Sequence, residues 1–128
     1  MKILFAGAGG ALGAVLRYVV SGLDYRFSGG VFPAGTLIVN LSGSLLIGFL
    51  WGVFEQAAVS SNVRVFIFIG VLGGYTTFST FALENFSLMR DGEINIALLN
   101  ILLSNAGGIL LVYAGYSLAR LVPGILKA

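Results

Sequence analysis

Charged residues are so sparse in this chain, and so placed, that the long intervals between them decide its environment. The seven basic and five acidic residues stand at Lys2, Arg17, Asp24, Arg26, Glu55, Arg64, Glu84, Arg90, Asp91, Glu93, Arg120 and Lys127. A helix needs about 20 mainly apolar residues to cross roughly 30 Å of hydrocarbon. Four stretches meet that requirement, at about residues 3–22, 32–54, 64–89 and 94–119. With 58% hydrophobic and 9% charged residues, against roughly 25% charged in an average soluble domain, a water-soluble reading fails. Residues 1–128 are therefore expected to form a single four-helix transmembrane domain, an all-α membrane protein. The first stretch lacks a cleavage pattern, carries Arg17 and leads straight into another span, so it is expected to be retained rather than removed as a signal peptide.

Several chemistries are excluded at once. The chain has no Cys and no His, which removes disulfides, thiolate metal sites and a histidine proton relay. The net charge of +2 is spread over helix ends rather than gathered in a basic run, so nucleic acid is not an expected partner. GAGGALG near the start has the glycines of a phosphate loop but lies inside a span, not between a strand and a helix, and is rejected as one. With no catalytic constellation elsewhere, the chain is not expected to be an enzyme.

Lys and Arg in short loops bias their side toward the cytoplasm. In a four-span chain both termini share a side. That side carries Lys2, Arg64, Arg120 and Lys127, while the other carries Arg26, Arg90 and, if it lies near that end of its helix, Arg17. Such a balance fits a dual-topology protein, whose copies insert both ways up and pair antiparallel. It equally fits a fixed orientation with a weak bias, and charge alone leaves both open.

Polar residues recur at helical spacing inside the spans. Thr36, Asn40 and Ser44 lie at i, i+4 and i+8 on the second, and Asn100, Ser104 and Gly108 repeat that spacing on the fourth, with Asn105 on a neighbouring face. One reading is interhelical hydrogen bonding, worth about 0.6 to 2 kcal/mol per contact. The other, favoured by the presence of two stripes, is a polar track. Small residues four apart, Gly9 with Gly13, Gly48 with Gly52, Gly70 with Gly74 and Ser104 with Gly108, read as places where helix backbones approach closely. A single four-helix bundle has little interior to spare for a path, so transport would require at least a homodimer.

The third span reads GVLGGYTTFSTFALEN at membrane depth. Gly73 and Gly74 weaken the helix there, and the hydroxyls of Thr76, Thr77, Ser79 and Thr80 can satisfy backbone groups that a break would free. The expectation is a broken third helix; the alternative is a glycine-rich face on an intact one. Phe78 and Phe81 share a face, either as lipid-facing filler or as ring edges, which are electropositive, set beside hydroxyl donors. Donor amides, hydroxyls and ring edges suit a small, strongly hydrated anion, whereas a cation path would use carboxylates or carbonyl rings. Glu84 is the only acid well inside an apolar stretch, and Glu55, Asp91 and Glu93 read as interfacial charges. Arg17 costs about 2.5 to 3.5 kcal/mol at a helix centre; it is read either as snorkelling to the interface or as a positive group at a pore mouth.

These residues resemble the Fluc (CrcB) family of fluoride channels. GGALGAVLRY in the first span, PAGTLIVNLSGSLLIG in the second and GVLGGYTTFSTFALEN in the third carry the resemblance, the last with high specificity. It implies an antiparallel, dual-topology homodimer with two fluoride pathways, each lined by both chains. Asn40 matches the family's pore asparagine, Phe78 and Phe81 its phenylalanines, and Ser79 and Thr80 the hydroxyls between them. Thr36 and Ser104 fall on the polar track. Gly73 and Thr76 match positions whose carbonyls, from both subunits, hold a structural sodium ion (Na+). Arg17 and Glu84 match the family's arginine and glutamate. The fourth span matches less well: Asn100 stands where other members can carry tyrosine, and Gly108 where they can carry serine.

The resulting expectation is passive, selective fluoride export through the inner cell membrane, with fluoride, the lipid bilayer and an inverted second copy as partners. The residues leave two rivals open. One is a small four-span exporter coupled to protons, which would want a membrane-embedded acid that the first span lacks. The other is a non-transporting membrane subunit, for which the stripes and the phenylalanine pair would be coincidence.

Overall fold

The structure is a computed structural model that describes residues 1–27 and 30–121, with the side chains of residues 23–27 outside the description. Of the charges counted for orientation, Lys127 and the side chain of Arg26 lie outside the described residues. The described residues fold as helices only. Helix α1 covers Lys2–Phe27 and α2 covers Ala34–Gln56. The third line of helix starts as α3 (Ser61–Arg64), widens into a π-helical run over Val65–Leu72, tightens into α4 (Gly73–Tyr75), and resumes as α5 (Phe78–Arg90). The fourth comprises α6 (Ile94–Leu102), a π-helical turn at Leu103–Gly107, and α7 (Gly108–Arg120). Among the described residues, four helices are long and apolar enough to cross a membrane: Lys2–Gly22, Ala34–Gln56, Ser61–Arg90 and Ile94–Arg120.

Burial is distributed as lipid, not water, would demand. The apolar residues that are fully buried are few and mostly modest in size, among them Val39, Ala97 and Ala119, whereas Ile3, Tyr18 and Ile109 are 85%, 80% and 73% exposed. In water that exterior would be an aggregation surface. Against acyl chains it costs nothing, because lipid tails are as apolar as leucine.

With no hydrophobic drive between helices in lipid, close van der Waals contact must hold the bundle, and glycine provides it. The first span lies against the third through Gly9, Gly13, Gly70 and Gly74. A methyl group at Gly74 would stand 2.6 Å from the Gly10 carbonyl oxygen, and one at Gly70 would stand 2.7 Å from the Gly9 Cα. The second span lies against the fourth, with Gly48 on the Val112 carbonyl, Gly52 on Ala119 and Gly115 on the Leu45 carbonyl. These two pairings are the most extensive in the molecule.

The third and fourth spans are joined by a tight reversal. Gly92 takes φ +87°, its N–H donates to the Met89 carbonyl (3.2 Å), and the Glu93 N–H donates to the Leu88 carbonyl (2.8 Å). That is the Schellman arrangement, in which a left-handed glycine lets the chain turn back while satisfying the last carbonyls of the helix. It brings α6 back beside α5.

Candidate functional site

Between Tyr75 and Phe78 the backbone leaves the helix. Thr76 has ψ 155°, and Thr77 is extended at φ −146°, ψ 122°. In a continuous helix the Thr77 N–H would close on the Gly73 carbonyl. Here it donates instead to Asn40 Oδ1 at 2.9 Å, and Asn40 Nδ2 donates to the Thr77 carbonyl at 3.0 Å. One side-chain amide thus satisfies both polar groups of a buried residue, which is what backbone at membrane depth requires. The threonines do the rest. Thr76 Oγ1 and N–H both donate to the Leu72 carbonyl at 3.0 Å. Thr77 caps α5 by accepting from the Thr80 N–H at 3.3 Å and donates its hydroxyl proton to Thr80 Oγ1 at 3.1 Å.

This extended turn stands between two cavities, and Thr77 lines both. The first is a groove of about 340 Å³ among the second, third and fourth spans, bounded by Asn40, Phe78, Phe81, Ser104, Gly73 and Thr76. The Phe78 and Phe81 ring centroids are 5.7 Å apart and tilted by 43°. Phe81 is half-buried, whereas Phe78 is 79% exposed on the single chain. The second cavity, about 860 Å³, is lined by Arg17, Thr36, Thr80 and Glu84. Thr36 donates to Glu84 Oε1 at 2.6 Å, and Arg17 Nη1 reaches the Thr76 carbonyl at 3.5 Å. The site residues read from the sequence therefore fall into two groups on either side of Thr77. Ser79 is exposed and lines neither cavity.

The groove presents donors. The clamp on Thr77 uses one hydrogen of Asn40 Nδ2 and ties down its oxygen, so the amide can offer only its second N–H to a guest. Ser104 adds a hydroxyl, and the two phenyl rings add electropositive edges. None of the groove's lining residues is acidic. The carbonyls of the last turn before the break have a different chemistry. With the Thr77 N–H drawn off by Asn40, the Gly73 carbonyl loses its helical donor, and among the described residues the Thr76 carbonyl meets the long contact from Arg17. Such oxygens are ligands for a hard monovalent cation, so the donor set at Gly73 and Thr76 fits sodium. Metal-type clusters of His, Cys, Asp and Glu do not occur among the described residues.

Two contributors escaped sequence reasoning. Tyr75 is buried with its hydroxyl 2.8 Å from Ser42 Oγ, bracing the end of α4 against α2. Asn85, buried in α5, donates to the Phe81 carbonyl at 2.7 Å and accepts from Asn100 Nδ2 at 3.2 Å. Its spacing of four from Phe81 was the available signal, masked by the more conspicuous Glu84 beside it.

A family model described as "CrcB-like protein, Camphor Resistance (CrcB)" matches residues 4–116. The chain is 44% identical over 127 residues to a Parabacteroides distasonis protein, covering 99% of each. It is 47% identical over 119 residues to one from Rhizobium meliloti, covering 92% of this chain and 95% of the relative. A Clostridium perfringens relative is 44% identical over 120 residues, or 93% and 94% of the two chains. All three relatives are named fluoride-specific ion channel FluC.

Proposed function

The chain belongs to the CrcB family, and from that premise we propose that it is a channel, not an enzyme, through which fluoride crosses a membrane passively. The observation that carries the reading is the groove bounded by Asn40, Ser104, Phe78 and Phe81. A small anion gives up its hydration shell only where donors replace it without reorganising. Asn40 is oriented by its clamp to donate, and acidic side chains, which would repel the anion, are missing from the lining. Arg17, on the wider cavity beyond Thr77, raises the local concentration of anions there. In that same cavity the Thr36 hydroxyl donates to Glu84 Oε1, which holds the carboxylate in place.

The path is completed by a second, inverted copy. Phe78, Ser79, Thr80 and Gly73 are all exposed on the single chain. Hydroxyls facing acyl chains are costly, and a partner covering them removes that cost. Two copies related by a two-fold axis in the membrane plane give two fluoride paths, each lined by both chains. The Gly73 and Thr76 carbonyls of both copies would then hold one sodium ion. When bound, sodium would neutralise the dipoles of those carbonyls and add positive potential beside the anions, as a structural ion rather than a carried one. In a bacterial inner membrane the channel lowers cytoplasmic fluoride whenever the electrochemical gradient points outward.

Fluoride efflux from liposomes holding the purified protein tests this reading, with chloride and a pH gradient as comparisons. Fluoride loss that is faster than chloride loss, independent of the proton gradient, and abolished in Phe81→Ile is the expected result. Flux that needs a proton gradient would replace the channel with a coupled exporter. No flux from wild-type protein would leave a non-transporting subunit.

A further inference from the structure

Asn85 and Asn100 are the most deeply buried polar side chains described, at 5% and 1% exposure, and neither lines the groove or the wider cavity. Between them they connect two residues that do line the groove. Ser104 Oγ donates to Asn100 Oδ1 (3.4 Å), Asn100 Nδ2 donates to Asn85 Oδ1 (3.2 Å), and Asn85 Nδ2 donates to the Phe81 carbonyl (2.7 Å). Every hydrogen in this chain points the same way, from the serine hydroxyl toward the phenylalanine backbone. Bonds so aligned polarise one another.

The Ser104 link is unusual for a serine inside a helix. The ordinary partner is the carbonyl four residues back. Ser21 takes that option with Arg17 at 2.7 Å, and Asn105, the neighbour of Ser104, takes it with Ile101 at 2.7 Å. The Ser104 proton rests instead on a side-chain amide at a distance near the upper limit for a hydrogen bond. A long bond is given up cheaply, and an anion in the groove is a stronger, charge-assisted acceptor. Ser104 lies in the π-helical turn Leu103–Gly107, where side chains leave their usual register with the preceding turn.

We propose that Asn85 and Asn100 are positioning residues for the anion path. Asn100 parks the Ser104 proton in a long hydrogen bond, from which the hydroxyl turns to an arriving fluoride. Asn85, held by Asn100, fixes the backbone that carries the Phe81 ring. The inference rests on reading the groove as the fluoride path, and the two can fail separately.

The test uses full-length protein in liposomes, with fluoride efflux measured for wild type, Phe81→Ile, Asn100→Leu, Ser104→Ala, the pair Ser104→Ala/Asn100→Leu, and the pair Asn85→Leu/Asn100→Leu. The last variant removes both amides together and leaves less of the network orphaned than a single change would, so thermal melting checks that it folds. Its expected behaviour is near-wild-type melting with efflux slowed about tenfold, the effect of losing one positioned hydrogen bond. Ser104→Ala should add nothing to the loss in Asn100→Leu. Wild-type efflux in a folded Asn85→Leu/Asn100→Leu protein, or losses from Ser104→Ala and Asn100→Leu that multiply, would overturn the proposal. If the leucine variants do not fold, Asn100→Ser carries the same cycle with Ser104→Ala and is judged by the same rule. Absence of fluoride flux from wild type, or full flux in Phe81→Ile, sinks the path itself; flux that is sensitive to Phe81→Ile but indifferent to the asparagines sinks only the positioning role.

Discussion

Replacing Asn40 should do two separable kinds of damage. Its amide makes two short hydrogen bonds to Thr77, at 2.9 and 3.0 Å, and Thr77 is only 8% exposed. In Asn40→Ala both the N–H and the carbonyl of Thr77 lose their partner away from water, at about 1–3 kcal/mol each, so the folded state loses roughly 2–6 kcal/mol in all. The backbone can recover part of this by closing the Thr77 N–H onto Gly73, which would straighten the third span and withdraw the very carbonyl read as a cation ligand. Asn40→Asp differs: a carboxylate still accepts from the Thr77 N–H but opposes the Thr77 carbonyl and places negative charge on the groove. Thermal melting in detergent and fluoride efflux read the two effects. We expect Asn40→Ala to lower Tm by roughly 5 °C or more and to cut efflux at least about tenfold, one lost donor to the anion being worth about that much. Asn40→Asp should melt above Asn40→Ala yet conduct no better. An Asn40→Ala protein with wild-type melting and wild-type efflux would refute both the clamp and the donor role.

Other substitutions test other links. Gly74→Val, which drives a side chain into the Gly10 carbonyl, should separate the first and third spans and cost about 1–3 kcal/mol, seen as lost monodisperse protein, while Gly7→Ala, which meets nothing within 4 Å, should be silent. Thr36→Val removes the 2.6 Å bond to Glu84 and should lower stability by about 1–3 kcal/mol, with fluoride efflux reduced alongside. The chain has no native Cys, so Gly73→Cys, whose Cβ would stand 3.5 Å from the Phe68 carbonyl, should yield a covalent dimer with a short thiol cross-linker if two copies meet there. Exhaustive exchange of sodium for a bulky organic cation should weaken the dimer and slow efflux, with recovery when sodium returns.

How far the sequence revealed this molecule depends on the range of each interaction. Membrane spans were legible because the charges of a single stretch decide them, as the uncharged runs from Phe32 and Ile94 illustrate. Close helix approach was legible at Gly9, Gly13, Gly70 and Gly74, since spacing reports a small-residue face. Which helix such a face would meet was not, because spacing says nothing about its partner, and Gly115, four before Ala119, was not among the pairs read. The Gly73-Gly74 pair and the threonines after it marked where backbone leaves the helix, but the group that stabilises the departure is Asn40, 37 residues earlier in the chain. Likewise the stripe through Asn100 and Ser104 was visible, whereas its continuation into Asn85 required α5 and α6 to be brought together by the turn at Gly92. The π-helical runs at Val65–Leu72 and Leu103–Gly107 left no sequence signal we could read, since they answer to packing rather than propensity.

Selective passage of fluoride is most directly measured as a reversal potential. Protein fused into a planar bilayer, with a tenfold fluoride gradient and chloride making up the balance, should reverse at the fluoride equilibrium potential, about 59 mV for a monovalent ion. A reversal near the chloride or sodium equilibrium potential, or the absence of any current the protein adds to the bare bilayer, would contradict the account.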